Sequence, residues 1–529
     1  MNKDDAVKLA IDSILRDGCS DITSEELELR LVKEFRDDFE AEIKAKLNRG
    51  NVYEMEYRPL QFILTPKNRY VFDYRKAAII TPSCLAKFLA IVFQYAEKVE
   101  GARVPVSENV VFSCRFSPNE DGVFSKDTGY SSWKEETKRR AENPDCKFVV
   151  SCDIAAFYDR VNIHRIESTL LSIGVDPALV KLTNDLLLFW SRKDSYGIPV
   201  GNVASRILAE AALIDIDQYL ISENIIFTRY VDDYRLFAPS LIVAQEWMNK
   251  LTTRLFRDGL MLNTGKTQIK SAQTDRRDDE ELVSEDKDDE HAEAVLKTIT
   301  KLTGGYNRIA RRFIMPAAEK HEVFAKINLE EELSLLSSQA IVEFSGIQKI
   351  VIAALVQKRF GLLLEIAKIC TNYLYGLDYF IDMLVKNADF VPESERARLA
   401  DMYVSMIDSG ELYSFEWHCA SVAKLLSHPA YFRKNALIQI YKSPAKDVST
   451  YASMVSLEGL KGHLTRSEFK TIREYFDRSD EWEKRRLLFL SDALPDEERK
   501  AWGKAVKSTI TSDFLATKLC EAIIRGQKI

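Results

Sequence analysis

The chain has 529 residues, 46% hydrophobic and 10% aromatic, which excludes wholesale disorder and leaves room for two to four domains. A net charge of −7 argues against a nucleic-acid partner, but the excess is local. Asp275 to Glu293 carries eleven acidic and three basic residues, and the remainder is close to neutral, so basic side chains elsewhere are free to share a face.

In chain order, residues 1 to about 50 read as helical, with Thr23 and Glu26 as a capping box ahead of Leu27, Leu29, Leu31 and Val32. Short β-like runs follow at Phe62-Ile63-Leu64, Tyr70-Val71-Phe72 and Ala77 to Ile80, punctuated by Arg58, Lys67, Arg69, Arg75 and Lys76. A helix is expected from about Ser83 to Val99, and a strand from Val110 to Phe116. Phe148 to Ile154 reads as a buried strand ending in a carboxylate, Asp153. Helical patterns fill about 163–190 and 203–222. Ile225 to Val231 and Tyr234 to Ala238 read as strands joined only by Asp232-Asp233, a hairpin signature. A helix at about 241–258 and a Gly-Leu-Met-Leu-Asn segment complete an α+β domain.

The acidic stretch 275–293 reads as a solvated loop near a domain boundary. The expected domains are residues 1–295 and 296–529. Beyond about 300 the pattern is helical, with Ile347, Val351 and Leu355 at helical spacing, a capping box at Thr465 and Glu468, and a helix start at Pro495. Short helices between polar turns predict a helical-repeat array. The eight cysteines have no C-x-x-C spacing, and the six histidines form no ligand pair with them, so neither a zinc site nor a disulfide framework is expected. The polar N-terminus and the shortness of apolar runs such as Val351 to Val356 predict a cytoplasmic protein with no membrane association.

The chemistry rests on Asp153, Asp232 and Asp233. Nucleotidyl transfer uses two divalent metals about 4 Å apart, and Mg²⁺ prefers hard oxygen ligands. One aspartate at a strand end and two at a hairpin tip supply such ligands on rigid neighbours. Without cations the cluster repels itself and tends to hold a proton.

These residues resemble a known family. Tyr230-Val231-Asp232-Asp233 matches the palm motif of reverse transcriptases, and Asp153-Ile154-Ala155-Ala156-Phe157-Tyr158-Asp159 resembles their first catalytic motif. Gly197 to Ser205 resembles the nucleotide-and-template segment. Gly259 to Asn263, followed by Lys266-Thr267, resembles the motif after the hairpin. The four stand in the family's order.

The resemblance implies two Mg²⁺ ions, or Mn²⁺, on Asp153 and Asp232, with Asp233 assisting and the Ile154 carbonyl as a further ligand. It implies nucleotide binding by Tyr158, a steric gate against a ribose hydroxyl, and by Lys67, Arg69 and Arg115, which would hold the triphosphate. Pro199 and Gly201 would line the nucleotide, and Lys266 would neutralise pyrophosphate.

Where templated members carry Pro-Gln-Gly, this chain has Pro199-Val200-Gly201, and valine donates no side-chain hydrogen bond. That form, with the following Ala204 to Glu210, resembles the bacterial abortive-infection and related phage-defence reverse transcriptases. The expected fold is therefore reverse-transcriptase fingers and palm followed by an all-α helical-repeat (HEAT-like) domain. The implied activity is a DNA polymerase that needs no template and is primed from a protein tyrosine. Its partners would be dNTPs and single-stranded DNA product attached to the protein, in a homo-oligomer. The rivals are a conventional RNA-templated enzyme of retron or intron type and a non-enzymatic palm-fold scaffold.

Overall fold

The computed structural model describes residues 1–23, 26–67, 73–272, 321–443 and 451–527. The acidic stretch and the expected boundary at 295 lie outside these residues, as does Arg69. The chain divides into two compact units.

The first unit opens with α1 (Lys3–Asp17), α2 (Glu26–Glu34) and α3 (Arg36–Leu47). The described part of α2 begins at Glu26; Ser24 and Glu25, inside the expected box of Thr23 and Glu26, lie outside the described residues. β1 (Gln61–Pro66) and β2 (Tyr74–Ile79) form a two-stranded sheet, and Phe62–Ala77, which includes most of both strands, groups with the second unit rather than the first. α4 (Pro82–Ala102) is capped by the Thr81 side chain and carries proline in its first turn, where a missing N–H costs nothing.

The run Val110 to Phe116 is not the continuous strand its apolar residues predicted. Val111 makes one isolated parallel bridge to Arg229, and Cys114 adopts φ +48°, which breaks the extended path. The strands here are β3 (Phe116–Asn119) and β4 (Gly122–Phe124), followed by α5 (Tyr130–Ala141).

The palm sheet comes next: β5 (Phe148–Asp153), the short α6 (Phe157–Arg160), α7 (Ile163–Ser172), α8 (Pro177–Trp190), α9 (Val203–Ser222), β6 (Phe227–Tyr230), β7 (Asp233–Ala238), α10 (Leu241–Arg257) and β8 (Gln268–Ser271). The sheet order is β6-β7-β5-β8, antiparallel throughout. α5 packs against β6 and β7, and α10 against β5 and β7. α9 is buried over most of its length, including the polar Ser205, Arg206, Glu210 and Asp217.

In the second unit every described element from His321 onward is helical: α11 (His321–Ala325), α12 (Leu329–Ser338), α13 (Phe344–Val356), α14 (Leu363–Asn372), α15 (Leu377–Lys386), α16 (Glu393–Ser409), α17 (Glu416–Ser427), α18 (Lys434–Lys442), α19 (Tyr451–Gly459), α20 (Arg466–Arg473), α21 (Glu481–Phe489), α22 (Asp496–Val506) and α23 (Phe514–Ile524). From α11 to α19 each helix packs on the next but one, and the series continues through α21 to α23. That is the contact pattern of stacked helical hairpins, the α+β-then-helical-array architecture expected. The capping box at Thr465 and Glu468 forms as read. Among the described residues no helix is long and apolar enough to cross a membrane.

Candidate active site

β5 ends at Asp153 and β7 begins at Asp233, and the antiparallel register sets the two directly opposite. Like charges so placed repel, so the sheet register alone builds a site that calls for positive charge. Asp232 comes from the turn between β6 and β7. That turn is Val231-Asp232, one residue earlier than the Asp232-Asp233 joint expected, with Tyr230 paired to Asp233 across it. It holds Val231 at φ +54°, where a β-branched residue is an outlier costing about 1–3 kcal/mol.

Two hydrogen bonds hold the strained turn. The Ile154 N–H donates to the Asp232 carbonyl at 3.1 Å. The Arg229 Nη1 donates to the Val231 carbonyl at 2.8 Å. Arg229 is fully buried. Its Nε donates to both Asp217 oxygens at 2.9 and 3.1 Å, and its Nη2 reaches Glu210 at 2.9 Å. Arg103 Nη2 also donates to Glu210, at 2.7 Å. Four buried charges, two of each sign, thus brace the turn. Burial alone would push the Glu210 carboxyl up, but Arg103 and Arg229 beside it hold it below its ordinary range.

The segment after α10 completes the site. Gly259, at φ +77°, turns the chain back, and Leu262 bridges Ile154. The Ala155 N–H donates to the Met261 carbonyl at 2.8 Å, and the Asn263 N–H to the Asp153 carbonyl at 2.7 Å. This lays Asn263 Nδ2 3.2 Å and Lys266 Nζ 3.0 Å from the Asp153 carboxylate. Arg235 lies 3.8 Å from Asp233.

Asp153, Asp232 and Asp233 each offer a carboxylate oxygen, all within 4.8 Å of one another. Burial pushes the Asp233 carboxyl up, Arg235 opposes the shift and Asp153 adds to it. Three hard oxygen donors, crowded and largely buried, fit divalent cations and lack a comparable use without them.

The other expected residues divide. Tyr158 is buried in α6, just after Ala156 at φ +48°, and burial raises its phenol well above the ordinary value, with Asp232 among the charges acting on it. The Pro199 carbonyl accepts from Asn202 Nδ2 at 3.0 Å, which shapes the loop into α9. Gly201 stands at φ +103°, and its carbonyl accepts from the Asp21 N–H at 3.0 Å. A Cβ there would lie 3.2 Å from Ser20 Oγ, so the N-terminal segment closes on this loop. Arg206 of α9 secures that closure through an ion pair with Asp21.

Arg115 does not fit the role expected for it. It is buried, and its three nitrogens donate to the Val111 carbonyl, Glu100 and the Val104 carbonyl. A guanidinium so engaged holds the fold together rather than a triphosphate. Lys67, in the second unit, pairs with Asp73 at 2.9 Å.

The sequence reading missed Arg229, Glu210, Asp217 and Asn263. A signal existed for two of them: Glu210 and Asp217, seven residues apart, share one face of a helix rich in apolar residues.

The family comparison agrees with this geometry. Residues 108–307 match the family model "Reverse transcriptase (RNA-dependent DNA polymerase)". A search of the curated proteins found no match. Among solved structures, apo telomerase from Candida tropicalis is 11% identical with a TM-score of 0.29, covering 76% of this chain and 73% of that one. Telomerase from Candida albicans, in complex with a TWJ fragment of telomeric RNA, is 11% identical with a TM-score of 0.30, covering 74% and 70%. These likenesses are too distant to carry an argument. The family match over residues 108–307 and the carboxylate site within it together mark a reverse-transcriptase domain, which indicates a nucleotidyltransferase.

Proposed function

We propose that the protein is a metal-dependent DNA polymerase that works without a template, starts its product on a protein tyrosine and serves bacterial abortive-infection defence against phage. One observation carries the untemplated reading: an intact carboxylate trio stands beside a middle loop with Val200 in place of glutamine. Val200 is buried and its carbonyl accepts from the Ala78 N–H at 3.4 Å. An apolar side chain there offers a templating base pair no hydrogen bond. The helical array supports the same reading, because phage-defence members pair palm and array.

Asp153 and Asp232, with Asp233 and the Ile154 carbonyl alongside, would hold two Mg²⁺ or Mn²⁺ ions. Such ions supply a more acidic attacking hydroxyl and charge neutralisation at the leaving pyrophosphate. The protein's own groups orient the reaction. The Tyr158 ring closes the sugar site and favours deoxynucleotides. Pro199 and Gly201 shape the loop against which the nucleotide rests. Lys266, 3.0 Å from Asp153, neutralises the departing pyrophosphate. A tyrosine hydroxyl first, then each 3′-hydroxyl, attacks the α-phosphorus of a dNTP, and the bond to pyrophosphate breaks. The product is single-stranded DNA attached to the protein, made by a homo-oligomer in the cytoplasm.

The test is incubation of the purified protein with Mg²⁺ and labelled dNTPs, without template or primer, beside Asp232→Asn. A ladder that shifts on protease treatment and is absent in the variant is the expected result. No product until an RNA template and DNA primer are added would replace this reading with a retron- or intron-type enzyme.

A further inference from the structure

Away from the carboxylates, the first unit contains a groove of about 830 Å³ between the segment Asn51–Tyr53 and the C-terminal end of α8. Tyr53 is 77% exposed on its rim, with Phe189 edge-on at 5.6 Å. Arg192 and Lys193 line it from the turn that ends α8. That turn is unusual. Both residues adopt left-handed backbone, at φ +56° and +74°, and the Lys193 N–H closes the helix end on the Leu188 carbonyl at 2.8 Å. Glycine is the ordinary occupant of such positions because it has no Cβ to clash. Two adjacent residues instead carry long cationic side chains at a backbone cost. Both are exposed, and neither makes an ion pair among the described residues. His164 faces the same groove and is held by Ser195, at 3.3 Å, and by Glu167. The groove's one acid, Asp185, is engaged by Lys181.

Strain retained at two cations beside an exposed tyrosine, backed by the half-buried Phe189, calls for a ligand with negative charge and flat faces. We propose that this groove binds single-stranded nucleic acid, with a base stacked on Tyr53 and phosphates held by Arg192 and Lys193. The inference rests on the polymerase reading above, which supplies a single strand to be held, and gives that strand a resting place outside the catalytic centre.

The experiment measures binding of a fluorescent oligodeoxythymidine, about a dozen nucleotides long, to the full chain at several salt concentrations. Two variants are compared with wild type: Tyr53→Ala, and Arg192→Gly combined with Lys193→Gly. The glycine pair suits the left-handed backbone, so its melting temperature stays the same or rises, and weaker binding cannot be blamed on misfolding. Each variant is expected to bind roughly tenfold more weakly. The glycine pair should also flatten the log–log salt slope by about 1.4, the share of two phosphate contacts. Unchanged affinity and slope in both folded variants would overturn the proposal. The polymerisation gel on the wild-type protein separates the two readings. A chain that makes no DNA, yet loses oligonucleotide binding in the variants, overturns the polymerase reading and leaves the groove standing. A chain that makes DNA while both variants bind as before does the reverse.

Discussion

The palm and the helical array both pair charged side chains, but they join them over different distances along the chain. In the palm, Arg103 reaches Glu210 across 107 residues, Lys266 reaches Asp153 across 113, and Arg206 reaches Asp21 across 185. In the array, Arg485 meets Asp513 and Arg486 meets Glu458 across 28 residues each, and Arg466 meets Glu498 across 32. The array's ties therefore span about one helical hairpin, as neighbour-on-neighbour stacking requires. The palm's ties close only when distant segments have all arrived. A stack of local units tolerates a fault in one of them. A sheet held by four buried charges from distant segments does not.

The largest effect expected is catalytic. On the proposed mechanism Asp232→Asn should reduce dNTP incorporation at least about a thousandfold, since losing a carboxylate that would hold metal removes several kcal/mol of transition-state stabilisation. The same crowding that serves chemistry should cost stability. Asp233→Asn, which relieves the repulsion with Asp153, is expected to raise the melting free energy measured in EDTA by about 0.5 kcal/mol. A fall in stability there would mean that Asp233 does structural work in the metal-free sheet.

Next comes Arg229→Met. It leaves Asp217 without its main counter-charge and frees the Val231 turn, so a loss of about 3–5 kcal/mol in urea denaturation is expected. Hydrogen exchange should quicken across β5, β6 and β7 together. Gly459→Val tests the opposite side of the comparison. A Cβ at Gly459 would lie 2.5 Å from the Cβ of Ser427, so α17 and α19 must move apart, at about 1–3 kcal/mol. Faster exchange should stay within α17, α18, α19 and α21, the helices in contact with one another there. Spread through the whole second unit would show that the array unfolds as one block.

A local effect is expected at the start of α20. Thr465→Ala removes the N-cap and should cost about 1 kcal/mol. Lys434 and the Thr465 N–H hold Glu468 down at about 2, against an ordinary value near 4.5. A depressed carboxyl stabilises the fold above its ordinary value and ceases to do so as pH falls through the lowered one. The stability gap between wild type and Glu468→Gln should therefore be full at pH 6, shrink below about 4.5 and vanish near 2.

Much of this was legible in the sequence. Asp153 at the end of an apolar run, the Tyr230 to Asp233 motif and the capping box at Thr465 depend on neighbours within a few residues, and local chemistry is what a sequence states directly. The helical spacing read beyond about residue 300 likewise pointed to an array, because each hairpin buries its face against the next. Failures came where the partner is remote. Arg115 has the composition of a phosphate ligand, but Glu100 and two carbonyls had already taken its donors. Val110 to Phe116 has strand-like residues, but only Val111 finds a bridge partner, in Arg229.

The sequence by itself determined the three carboxylates, the order of the motifs around them and the change from mixed to all-helical structure. Those depend on side-chain chemistry and on periodicities of two and 3.6 residues. Only the tertiary structure decided that the turn is Val231-Asp232, that Arg229 braces it and that Asn263 and Lys266 converge on Asp153. It alone decided that the Ser20–Asp21 segment closes on Gly201. Each of these joins residues far apart in the chain, and such a contact is set by the closing of the whole unit rather than by any stretch within it.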